Sequence, residues 1–61
     1  MKLEFDPIAD AAYLEISGVD VESSKEIQPG IIADYDEKGQ IVGIEILHVS
    51  KRATPPLKQA A

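Results

Sequence analysis

Sixty-one residues and 6.6 kDa leave room for one small domain. With 44% hydrophobic and 28% charged residues the composition is that of a globular chain, which excludes disorder throughout and a collagen-like repeat. Eleven acids against six basic residues, a net charge of −5, leave no broad cationic footprint, so nucleic acid is not an expected partner.

Lys2-Leu3-Glu4-Phe5-Asp6 alternates charged and apolar residues with period two, the pattern of a strand burying Leu3 and Phe5. Asp6-Pro7 ends it, because proline fixes φ and lacks a ladder donor. Pro7 to Asp10 reads as a tight loop or one helical turn, with Asp6 placed to cap it. Alternation resumes over Ala12 to Ser17, putting Ala12, Leu14 and Ile16 on one face and Tyr13, Glu15 and Ser17 on the other. After the turn at Ser17-Gly18, the polar stretch Val19 to Ile27 reads as a loose or edge strand.

The clearest element is a β-hairpin, Ile31 to Asp36 and Gln40 to Leu47, around Asp36-Glu37-Lys38-Gly39. Aspartate first and glycine fourth suit a type I turn followed by a left-handed residue. Ile31, Ala33 and Tyr35 share one face, where Val42, Ile44 and Ile46 meet them as the expected core. Val49 to Ala53 suits one helical turn, stopped by Pro55-Pro56. Residues 1–53 are thus expected to form a mainly β domain, a small antiparallel meander of about four strands with a short C-terminal helical turn. Residues 54–61 are expected to be a frayed, proline-rich tail.

No apolar run approaches about 18 residues, and the start Met1-Lys2-Leu3-Glu4-Phe5 is not a hydrophobic leader, so no membrane association is expected. Zero cysteines mean no disulfide framework and suit a reducing compartment; a cytoplasmic location is the expectation.

Each chemistry candidate has a plainer reading. Asp34, Asp36, Gly39 and Glu45 fall at four positions of an EF-hand calcium loop, but Lys38 stands where an oxygen ligand belongs, and the flanks alternate as strands. The hairpin accounts for all of them without a metal. His48 is the sole histidine and reads as a strand-end surface residue; Ser50, two residues on, does not face it. Ser23-Ser24-Lys25 reads as a polar loop rather than a nucleophile and base. Asp6 and Asp10 are explained by capping and turns more cheaply than as an acid/base pair. The four glycines form no phosphate-binding motif. The basic end, Lys51-Arg52 with Lys58, is short for a nucleic-acid site. No catalytic residue, cofactor or metal is assigned, and the chain is not expected to be an enzyme.

A domain of this length buries only about 60% of its unfolded surface, so self-association is the expected source of further burial. The face opposite the expected core carries Tyr13, Ile32, Ile41 and Leu47, a cluster expected to be an interaction surface, with a second copy of the chain as the simplest partner.

Asp6-Pro7-Ile8-Ala9-Asp10-Ala11-Ala12-Tyr13-Leu14-Glu15-Ile16 resembles the opening of the domain-of-unknown-function 2283 family of small bacterial and archaeal proteins. Pro29 to Asp36 followed by Gly39 to Leu47 is similar to its second signature, and Ser50-Lys51-Arg52 to its terminal element. The chain departs at Phe5, where the family often has tyrosine, and at its tail. The resemblance implies a small mainly β domain with no assigned reaction. Members often neighbour proteins that resemble ribonuclease toxins, which implies an antitoxin-like alternative, and an acidic body suits a basic protein partner. The expected function is therefore a non-enzymatic protein–protein interaction module acting as a homodimer. The alternatives are an antitoxin-like partner of a basic toxin, or a ligand or ion site at a subunit interface.

Overall fold

The computed structural model describes residues 1–52. Alternation becomes strand at β1 (Lys2–Asp6), β2 (Ala11–Glu15), β4 (Ile31–Tyr35) and β5 (Ile41–Leu47), with β3 (Ser23–Gln28) between the second and fourth. A single helical turn, α1 (Val49–Arg52), follows β5. The class is mainly β and every pairing is antiparallel. The expected frayed tail, 54–61, lies outside the described residues.

Five strands are present among the described residues, where about four were expected. The polar stretch Val19 to Ile27, read as a loose or edge strand, orders over Ser23–Gln28 as an edge strand on β4 and brings the count to five. Its apolar content is low, and main-chain pairing with β4 holds it, continued by the Glu22 N–H donating to the Tyr35 carbonyl at 2.7 Å.

The strand order is β1-β2-β5-β4-β3. Strands β3, β4 and β5 form a meander, β1 and β2 a separate hairpin, and pairing of β2 with β5 joins the two. The connection from Ile16 to Glu22 therefore passes the ends of β5 and β4 to reach the far edge. It is pinned at its start, where the Ile16 and Ser17 N–H groups both donate to the Val42 carbonyl, at 2.9 and 3.1 Å. That turn onto one acceptor ends β2 at Glu15, two residues short of the expected boundary.

The β4–β5 turn matches its expectation in detail. The Asp36 N–H donates to the Gln40 carbonyl, and the Gly39 N–H to the Asp36 carbonyl. Asp36 Oδ1 accepts the Lys38 and Gln40 N–H groups at 2.8 and 2.9 Å. Gly39 has φ +80°, a left-handed conformation that glycine adopts without steric cost. The β3–β4 connection is Pro29-Gly30, with positive φ at the glycine as a type II turn requires.

Packing departs from the expected core. Of Ile31, Ala33, Tyr35, Val42, Ile44 and Ile46, only Ala33 and Val42 are buried; the other four remain partly exposed. Ala11 and the turn residue Asp36 complete the buried side chains among the described residues, and none is larger than valine. The reason is architectural. Stable domains pack at least two layers, whereas the described residues form one sheet and a four-residue helical turn with no buried residue.

Candidate functional site

Register sorts the side chains onto two faces, since antiparallel partners point the same way. The pairs Leu3–Leu14, Leu14–Ile44 and Ile44–Ala33 run across one face, as do Phe5–Ala12, Ala12–Ile46 and Ile46–Ile31. The strand positions of this apolar face carry no carboxylate; its charge is Lys25, opposite Ala33 at the β3 edge. The other face holds Glu4, Asp6, Glu15, Glu26, Asp34 and Glu45, with Lys2 as its cation. Lys2 Nζ lies 3.1 Å from Glu4 Oε2, and the carboxylate beside it raises the lysine's pKa above its ordinary value. Both side chains are well exposed, so the pair contributes little to stability.

A hydrogen-bonded row crosses four strands of the acidic face. Tyr13 of β2 donates through its hydroxyl to Asp34 Oδ2 of β4 at 2.9 Å, reaching over β5. Ser24 of β3 donates to the other oxygen, Asp34 Oδ1, at 2.6 Å. The reach is possible because Gly43 of β5 lies beneath the phenol: a Cβ there would fall 2.7 Å from Tyr13 Cζ and closer still to its hydroxyl. The Tyr13 pKa is raised above 10.0, first by the bond to Asp34, then by burial and the charges of Asp34, Glu15 and Glu45. The bond to Asp34 thus favours the protonated phenol, which is the donor in this row. Beside it, Glu4, Asp6, Tyr13 and Glu45 line an open depression.

Of the expected interaction cluster, Tyr13, Ile32 and Leu47 occupy positions on the acidic face. Ile41 stands apart at a bulge opposite Tyr35, where the register between β4 and β5 shifts by one residue. Tyr13 and Ile32 both pair across the sheet with Glu45. Their surroundings are thus charged, whereas the continuous apolar surface lies on the reverse side.

Asp6 caps the first loop as expected, accepting the Ile8 and Ala9 N–H groups on Oδ1 at 3.0 and 3.2 Å. Asp10 works at longer range. Its two carboxylate oxygens accept the Ser50 N–H at 3.1 Å and the Ser50 hydroxyl at 2.8 Å, and its carbonyl accepts the Val49 N–H at 3.0 Å. The first loop thus caps α1 from forty residues away in sequence. At the other end of α1, Arg52 donates to the Leu47 and Pro29 carbonyls at 2.8 and 2.5 Å, tying the turn to β5 and to the β3–β4 connection.

The near-calcium pattern is divided between two tasks. Asp34 belongs to the row with Tyr13 and Ser24, and Asp36 holds the hairpin turn. No group of three or more histidine, cysteine or acidic side chains among the described residues could hold a metal ion. His48 is exposed between β5 and α1, with φ +55°. The Ser24 hydroxyl donates a hydrogen bond to Asp34, while Lys25 stands on the opposite face of β3. Sequence reasoning missed the Tyr13–Asp34–Ser24 row. Its available signal was Gly43, a glycine inside an isoleucine-rich strand, which marks a close approach by another group.

No helix among the described residues is long and apolar enough to cross a membrane. No curated protein and no solved structure matches the chain. A family model, "Protein of unknown function (DUF2283)", matches residues 2–50 and so takes in all five strands together with the Asp10–Ser50 cap. The chain is a member of the DUF2283 family.

Proposed function

We propose that this protein is a non-enzymatic protein–protein interaction module that works as a homo-oligomer. The observation that carries the reading is the absence of any buried side chain larger than valine among the described residues. Leu3 and Phe5, the apolar residues of β1, are 71% and 56% exposed in the single chain. A sheet this bare gains most from burial against another protein surface. The polar groups with the strongest geometry, Tyr13, Asp34 and Ser24, bond one another and brace the sheet; that supports a structural rather than a catalytic part for them. Zero cysteines suit work in a reducing cytoplasm.

Light scattering across a dilution series tests the reading. The expected mass is at least twice the 6.6 kDa of one chain. A folded 6.6 kDa monomer at every concentration would overturn it.

The acidic face favours a second, finer reading, that of an antitoxin-like module holding a basic protein. Six carboxylates on five neighbouring strands complement a cationic surface and speed its encounter. Such a complex dissociates as salt rises, and Glu4→Gln with Glu45→Gln weakens it. Binding indifferent to both would remove this version.

A further inference from the structure

We infer that the apolar face is covered by a second copy of this chain, packed face to face as a two-sheet sandwich with both acidic faces outward. The inference rests on the homo-oligomer reading above and assigns the surface that makes the contact. Leu3, Phe5, Leu14, Ile31, Ile44 and Ile46 stand on this face, and its strand positions include no carboxylate. Among the strand positions, the reverse face sets six carboxylates against Lys2 alone, so two copies meeting there would oppose like charges. Lateral pairing is disfavoured too. Edge strand β1 carries Lys2, Glu4 and Asp6, and edge strand β3 carries Lys25 and Glu26 next to a register shift. Edge charges and bulges of this kind discourage strand addition.

Size and symmetry agree with this assignment. Five strands at about 4.8 Å spacing and about five residues of about 3.4 Å rise give a face of roughly 24 by 17 Å. Two such faces have a plan area of about 800 Å², which standing side chains raise toward the 1,200 Å² or so at the small end of specific interfaces. β5 is the central strand, so a two-fold axis through the middle of the face brings Ile44 and Ile46 of both copies together in an isologous contact. Aligned sheets packed about 10 Å apart would then enclose the core that one chain lacks.

The protein has no cysteine, so single cysteines report burial cleanly. Leu14→Cys probes the apolar face and Ile32→Cys the acidic face; both positions are partly exposed in the single chain. Each variant is labelled with a maleimide while its mass is measured at the same concentration. The expected result is a dimer in which Leu14→Cys labels at least tenfold more slowly than Ile32→Cys, the two rates converging as dilution separates the copies. A dimer in which Leu14→Cys labels as fast as Ile32→Cys would overturn the assigned face but leave the homo-oligomer reading standing. A monomer would overturn both, whether Leu14→Cys is protected by another part of its own chain or labels freely. Should Leu14→Cys fail to fold, Phe5→Cys, at the rim of the same face and 56% exposed in the single chain, asks the same question.

Discussion

The two faces of the sheet share the same backbone and the same five strands, yet they are finished in opposite ways. The acidic face is completed within the chain: Tyr13 spans β5 to reach Asp34, Ser24 closes the row, and Glu26 folds back to accept the Gly30 N–H at 2.9 Å. The apolar face has no such closure, and its isoleucines and leucines remain partly open or exposed. Alternation therefore produces two surfaces with different requirements. Polar side chains satisfy one another locally, whereas apolar ones need a second layer. In a sheet this small, that layer has to come from outside the described residues.

Charge placement separates the faces most sharply. Ile44→Glu puts a carboxylate at the centre of the apolar face, and burying it unpaired costs about 3 kcal/mol or more. The dimer is expected to weaken at least 100-fold, by roughly 1.4 kcal/mol per tenfold, with unfolding at dilutions where the parent stays folded. Ile32→Glu on the acidic face is expected to leave the mass unchanged. Sedimentation and circular dichroism on the two variants check this; equal effects would mean that the faces are misassigned.

The Tyr13 crossing sharpens the acidic side. Gly43→Ala places a methyl group where the phenol lies, at an expected cost of about 1–3 kcal/mol in urea unfolding. In a Tyr13→Ala background the same change is expected to cost little, because the clash is gone; additive losses would contradict the geometry. A smaller effect belongs to the Asp10 cap. Asp10→Ala is expected to cost about 1–2 kcal/mol through loss of the Ser50 bonds and strain at φ +57°, while Asp10→Asn retains more of the stability. Thermal unfolding of the two variants reads the difference.

The smallest effect is alkaline. The folded Tyr13 pKa lies above 10.0, so its contribution is fully present below that ordinary value and is lost as pH rises through the folded pKa. Phenolate absorbance should show a tyrosine ionising above 10.0, with Asp34→Ala moving that step downward. An unchanged step would remove Asp34 as its principal cause.

Local structure was legible where a residue's own chemistry decides it. Asp36 and Gly39 announced their turn, Asp6 its cap, and the alternating residues of β1, β2, β4 and β5 their strands. Long-range choices were not legible. Insertion of β5 beside β2 leaves no turn signature, because Tyr13 and Glu45 are paired through space and not through a connecting loop. The Asp10–Ser50 cap and the Tyr13–Asp34 bond join segments that carry no local mark of each other. Alternation also divided the residues into two faces without stating which one the chain itself would cover. Hence Ile31, Tyr35, Ile44 and Ile46 read as interior although they are partly exposed in the single chain.

Unfolding by urea at protein concentrations a hundredfold apart tests most directly whether the apolar face is closed by a second copy. Folding coupled to dimerisation predicts a midpoint that rises with concentration, since mass action favours the associated state. A midpoint identical at both concentrations, with a mass of 6.6 kDa throughout, would contradict the account: the single sheet would then be stable with its apolar face uncovered by another chain.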